Sequence, residues 1–298
     1  MKVSAPRSAP SSHRRAISFI LIGSFAGTLM DAVMKWLVAD YAVFQLLAIR
    51  GMIVLPLLFL WVLGTERGRP FLPTHFSLVL LRTLFIMLAP LLFFTTLRYL
   101  PLADATVVFF VTPLIATGLS VLFLKEVVGL HRWSAILVGF AGAVIALNPG
   151  TDVFQPIALF TLAAAGFYAG AMLIGRKLAG QVSVARLLLF QSLGLAIGFG
   201  LLGAPSWQPM PPEDLALTCL AAALSLVVMG CLTKGYMEGP PSVVGPFEYS
   251  ALIWASTLGY WVWGDIPSLN VIGGGFLIIG AGIYILHRET RGKPPKPI

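Results

Sequence analysis

The sequence predicts an all-α membrane protein of ten transmembrane helices, built as two inverted five-helix repeats with both termini cytoplasmic. Three observations carry that expectation. The first is composition. Of 298 residues, 58% are apolar and 11% charged, where soluble chains hold about 45–50% and about 25%. Mean hydropathy is +0.90. Twelve acids and twenty bases are too few to clothe a soluble surface, so the apolar residues must face lipid. The second is spacing, because ten apolar runs reach about the 20 residues needed to cross hydrocarbon. The third is the placement of charge. Sixteen of the twenty Lys and Arg fall on segments that share a side with the N-terminus, and only Lys35 and Arg98 on the other; Arg50 and Arg82 lie within runs. Cytoplasmic loops collect Lys and Arg, so both ends are expected inside. The net charge of +8 then reads as topology, and no nucleic-acid partner is expected.

The runs are 16–38, 43–63, 76–97, 103–124, 131–148, 155–178, 184–203, 214–236, 241–263 and 268–286. The first follows a basic stretch, 1–15, expected as a cytoplasmic tail. The run is too long for a signal peptide, and no small-residue cleavage site follows it. Runs two, three and four each hold a proline (Pro56, Pro90 and Pro113), and run five is rich in glycine. Run eight carries Cys219 and Cys231, about 18 Å apart on a helix and so unable to form a disulfide together. Pro240-Pro241 starts run nine, which also contains Pro246, and run ten leads into a tail, 287–298. Within membranes, prolines most simply reflect packing, with a kink as the alternative. Trp36, Trp61, Trp133, Trp207, Trp261 and Trp263 lie near run ends, as an interfacial belt requires. The links are too short to hold a domain, which gives a tail at 1–15, repeats at 16–148 and 155–286, and a tail at 287–298.

A shift of 139 residues lays YLPLADATVVFFVTPL (99–114) over EGPPSVVGPFEYSALI (238–253). Pro101 then meets Pro240, and Glu126 meets Asp265. The segments that follow, 134–147 and 273–286, share a small-residue texture. Five helices per unit is an odd number, so the second unit enters the membrane from the opposite side. Such repeats mark secondary transporters, with the substrate held near the midplane between the halves.

The segment 99–147 resembles the repeated unit of the drug/metabolite transporter superfamily. It has a small-residue helix with Pro113-Leu114 at mid-span, the acid Glu126 closing it, and a helix with Gly139 and Gly142. The second copy departs from this, with Leu252 where Pro113 would map and Asp265 in place of Glu. The likeness extends in architecture over about 280 residues and is specific over 99–147. Ten-helix bacterial amino-acid and metabolite exporters are the nearest in character, aromatic amino-acid exporters among them. The resemblance implies a basket-like ten-helix fold and efflux across the inner membrane.

A charge at mid-bilayer costs about 3 kcal/mol or more, which makes it a site candidate. Asp31, Arg50, Arg82 and Glu248 lie inside runs, and Lys234 lies near the end of one. Asp31 and Arg50 are each about 10 Å from the outer face on adjacent helices. They are expected to pair, as structure, gate or substrate contact. Arg82 and Glu248 lie about 10 Å from the cytoplasmic face, and Arg82 and Lys234 alternatively snorkel to the interface. Aromatic and small residues (FEYSALIWAS) surround Glu248, which places it, Tyr249 and Trp254 in an expected substrate site. Tyr168, Gln191, Gln45 and Ser192 are further groups able to hydrogen-bond a ligand. A shift of 141 lays Arg50 over Gln191. A zwitterionic amino acid needs an acid for its ammonium and a base for its carboxylate, and this inventory holds both.

No phosphate-binding loop, HExxH, GxSxG or Cys/His cluster is present, so no cofactor, metal or catalytic group is expected. The expected function is secondary transport by alternating access across the inner membrane. It would export small metabolites, most simply amino acids with aromatic or apolar side chains. Multidrug or other metabolite efflux is the alternative. An intramembrane enzyme on lipid-linked substrates would need acids clustered at one face, and only Glu213-Asp214 comes near that. The partners are the bilayer and a small molecule, and the oligomeric state is left open.

Overall fold

The computed structural model describes residues 10–66, 72–73, 75–124, 130–148, 156–238 and 245–291. Lys2, Arg7, Arg67, Arg69, Lys125, Glu126, Pro240, Pro241, Lys293 and Lys296 lie outside the described residues, so the pairings of Pro101 with Pro240 and of Glu126 with Asp265 do too. Among the described residues every regular element is helical. Lipid offers the backbone no hydrogen-bond partner, which leaves helices as the way for these apolar runs to satisfy it internally.

In chain order the elements are α1 (Pro10–Leu37), α2 (Val43–Thr65), α3 (Phe76–Leu97), α4 (Leu102–Phe109), α5 (Thr112–Leu124) and α6 (Leu130–Leu147). Then come α7 (Ala158–Leu178) and α8 (Val184–Leu193), which runs through a π-helical stretch, Gly194–Phe199, into α9 (Gly200–Gly203). α10 (Pro212–Glu238), a 3-10 turn at Gly245–Tyr249, α11 (Ser250–Trp263) and α12 (Leu269–Arg291) complete the chain. Seven helical stretches are long and apolar enough to cross a membrane, and two shorter apolar ones occupy Trp133–Leu147 and Leu269–Tyr284.

The structure departs from the run-by-run expectation at two places. Run four is not one helix, because it breaks at Phe110–Val111 before Pro113, with the Thr112 hydroxyl donating to the Phe109 carbonyl at 2.6 Å. In run nine, Gly245 and Pro246 sit in the 3-10 turn, so the α-helix starts only at Ser250. Gly264, at φ 73°, ends α11 in the left-handed conformation, and the Asp265 amide donates to the Gly259 carbonyl at 3.1 Å. Glycine enters that region without the steric cost of a side chain.

Packing follows a short list of pairs. α1 lies against α10 and α11; α7 lies against α3, α4 and α5. α2 packs on α8 and its π stretch, α4 on α11, and α6 on α12. Small residues let backbones approach closely in membranes. A Cβ on Gly51 of α2 would lie 2.7 Å from the Ala196 amide nitrogen, inside the π stretch. One on Gly142 of α6 would lie 2.8 Å from the Gly274 carbonyl oxygen of α12. Outside, large apolar side chains stand open, with Leu60 64%, Leu201 72% and Phe276 72% exposed. Water would penalise that surface at about 25 cal/mol per Å²; hydrocarbon does not. Cys219 and Cys231 are both free thiols.

Candidate functional site

α1 presents Ser24, Thr28 and Asp31 to a cavity, and α3 presents Ile86, Pro90 and Phe93. Steps of three and four residues put each set on one helical face. This cavity measures about 310 Å³ and also receives Arg50, Phe94, Tyr168, Gln191 and Glu248. The break after α4 turns Phe109 and Phe110 toward it. A second cavity of about 390 Å³ holds Arg82, Ser192 and Ser225, and shares Arg50, Tyr168 and Gln191 with the first. Together they make one chamber among segments from both halves of the chain. The Arg50 and Gln191 positions that the 141-residue shift superposes both line it.

Asp31, Arg50, Arg82, Glu248, Tyr168 and Gln191 are therefore brought together, as is Ser192. Asp31 and Arg50 sense each other's charge, but among the described residues they form no direct ion pair. Arg50 instead lies 5.7 Å from the centre of the Phe94 ring, with Nη1 3.7 Å from the Met30 sulfur. Three expected residues do not line the chamber. Tyr249 packs against Phe110 at 5.1 Å and lies toward Gly282 of α12. Trp254 packs edge-on to Phe25 at 5.2 Å. Lys234 is exposed, 5.5 Å over the Phe19 ring. Gln45 is likewise structural: fully buried, it accepts from the Gln208 amide at 2.9 Å and donates to the Gln208 carbonyl at 2.7 Å. The aromatic surface comes instead from Phe93, Phe94, Phe109, Phe110 and Tyr168.

At one end of the bundle, groups drawn from distant parts of the chain contact one another. Lys35 Nζ lies 3.0 Å from Asp265 Oδ2, donates to the Leu100 carbonyl at 3.0 Å and sits 4.7 Å over the Trp263 ring. Arg98 donates to the Ala39 carbonyl at 3.1 Å. The Tyr41 hydroxyl donates to Asp214 Oδ2 at 2.6 Å. That bond, with burial and the charges of Asp214 and Asp40, pushes the phenol up to about 12 from its ordinary 10.0. A raised folded pKa means this contribution is complete below the ordinary value and is lost as pH climbs through about 12. At the other end, Arg186 pairs with Glu66 at 2.6 Å, and the Ser183 hydroxyl also bonds Glu66.

The Lys35–Asp265 contact gives a first prediction. In a protein with Cys219 and Cys231 replaced by Ala, a cysteine at Ala103 is expected to react slowly with an impermeant maleimide, since Ala103 is buried in the apolar cluster that includes Leu37 and Leu102. Adding Asp265→Asn removes the carboxylate and should speed labelling several-fold, whereas Asp265→Glu should not. Equal rates in all three proteins would mean that the contact does not close this end.

Residues 14–148 match the EamA-like transporter family. This stretch, a little under half of the chain, is similar to that family. The likeness to drug/metabolite transporters read from 99–147 is thereby shown, and the family's proteins are transporters rather than enzymes. Full-length similarity extends to an S-adenosylmethionine uptake transporter of Rickettsia felis, 25% identical over 94% of this chain and 95% of its own. A pseudopaline exporter of Pseudomonas aeruginosa is 23% identical over 94% and 98%. A riboflavin transporter of Vibrio cholerae is 29% identical over 73% and 74%. A solved crystal structure superposes with TM-score 0.62 over 96% of this chain and all of its own at 20% identity, which shows a shared fold.

Proposed function

We propose that this protein is a secondary transporter of the inner membrane, with ten crossings in two inverted five-helix halves and both termini cytoplasmic. Its cargo is a small zwitterionic metabolite, moved outward by alternating access; amino acids with aromatic or large apolar side chains are the simplest members of that class. One observation carries the reading: the largest helix pairings are preserved when each segment is exchanged for the one five along. The α1–α10 contact becomes α7–α3, and α1–α11 becomes α7 with α4 and α5, while α2–α8, α6–α12 and α4–α11 map onto themselves. The 139-residue shift also carries the break at Phe110–Val111 onto Tyr249–Ser250, where the 3-10 turn meets α11. Interrupted helices around a site between repeats are what alternating access uses.

The relatives' names support organic metabolites as cargo and include both uptake and export. The adjoining cavities of about 310 and 390 Å³ favour a second reading alongside amino acids, in which larger metabolites on the scale of S-adenosylmethionine or riboflavin are carried. Purified protein in liposomes tests both. Preloaded vesicles should exchange labelled tryptophan or one of these larger metabolites, at a rate at least tenfold above empty vesicles. Exchange of a lipophilic cation with no response to any of them would point to multidrug efflux instead.

A further inference from the structure

The two cavities differ in chemistry. The 390 Å³ cavity contains Arg82 beside Gln191, Ser192 and Ser225, and among the described residues no carboxylate lines it. The 310 Å³ cavity contains Asp31 and Glu248, walled by phenylalanines. Arg50 and Tyr168 line both. Tyr168 feels Arg82 and Glu248 together, which puts it between the two compartments.

Neither arginine has a direct carboxylate partner among the described residues. Arg50 is 8% exposed, yet its side-chain contacts are a thioether sulfur at 3.7 Å and the face of Phe94. Sulfur is a weak acceptor for a guanidinium with five donors. Arg82 Nη1 reaches one carbonyl, that of Leu187, at 3.5 Å, and its Nε is buried with no partner. Buried donors left unmet are costly unless something else meets them. A carboxylate suits that role, since it accepts two parallel bonds from one guanidinium.

Resting on the transport reading above, we propose that the chamber is a two-compartment site for a zwitterion with an aromatic part. The Arg50–Arg82 compartment takes the carboxylate. The Asp31–Glu248 compartment takes the cationic group, and its phenylalanine walls take the ring by offset or edge contact. A substrate carrying only one of the two charges fills one compartment and forgoes the polar contact in the other.

Three indoles of nearly equal size test this in lipid nanodiscs by equilibrium binding. Tryptophan has both charges, tryptamine lacks the carboxylate, and indole-3-propionate lacks the ammonium. The wild-type protein should bind tryptophan about tenfold more tightly than either, as expected for a charge-assisted hydrogen bond. Arg82→Gln should erase the advantage over tryptamine and keep that over indole-3-propionate. Glu248→Gln should do the reverse. Arg82→Lys, which keeps the charge but not the fork, should weaken the first advantage without erasing it, and thermal unfolding of each variant confirms a folded protein. The division is overturned if the wild-type protein binds all three alike or none at millimolar concentration, or if either variant removes both advantages together. Transport is a separate readout. Liposomes that exchange tryptophan while the three indoles bind alike would leave the transport reading standing and remove this one.

Discussion

Gly142→Leu should cost the folded protein about 3 kcal/mol or more, at the upper end of overpacking effects. The reason is the contact between α6 and α12. A Cβ there would stand 2.8 Å from a carbonyl oxygen, 2.9 Å from Leu277 Cβ and 3.1 Å from Ile278 Cγ1. Backbone and Cβ atoms are not chain ends that can swing aside, so the helices must separate and give up the packing that holds them in lipid. Ala141, one residue away, is exposed, so Ala141→Leu should be neutral. Thermal unfolding in detergent distinguishes the two. A drop in midpoint for Gly142→Leu alone is expected, and equal midpoints would mean that α6 and α12 do not meet there.

Arg50→Gln should abolish transport and also destabilise the protein, by about 1–3 kcal/mol, because Asp31 loses the positive charge it senses across the chamber. Adding Asp31→Asn removes the stranded carboxylate. The double variant should therefore recover most of the stability and none of the transport. That separation tells a substrate contact from a structural pair, for which both properties would return together. Midpoints of unfolding and rates of exchange in liposomes, measured on the same preparations, provide the two readouts.

Much of the chamber was legible because intramembrane charge is rare. Asp31, Arg50, Arg82 and Glu248 stood out as charges inside apolar runs, and all four line it. Tyr168 and Gln191 also line it. Tyr249 and Trp254 stand close to Glu248 in the sequence but do not line the chamber. Glu248 and Tyr249 sit in a 3-10 turn, where successive side chains fan out faster than in an α-helix, so neighbours face different sides. Lys35 and Asp265 were expected as a stray outside base and a repeat marker. Their contact spans 230 residues, and nothing local in either segment announces it. Gln45 looked like a ligand group, but its partner, Gln208, lies in a loop with no motif of its own.

The fold was legible in the same uneven way. Apolar length and charge placement located the helical segments. The interruptions at Phe110–Val111 and Gly194–Phe199 are not visible in hydropathy, since neither a π stretch nor a two-residue break changes it. Both adjoin the chamber, where backbone irregularity is tolerated because it lines a cavity rather than facing lipid.

A chamber that opens in turn to each face of the membrane would expose a single cysteine at Ser24 to both sides. This residue is 8% exposed and lines the 310 Å³ cavity, and Cys219 and Cys231 would first be replaced by Ala. Vesicles of known orientation are treated with an impermeant thiol reagent from one side or the other, with and without substrate. The account predicts labelling from both sides, with Asp265→Asn shifting it toward the side that the Lys35–Asp265 contact closes, and protection by substrate. Labelling from one side only, unchanged by Asp265→Asn, would contradict it.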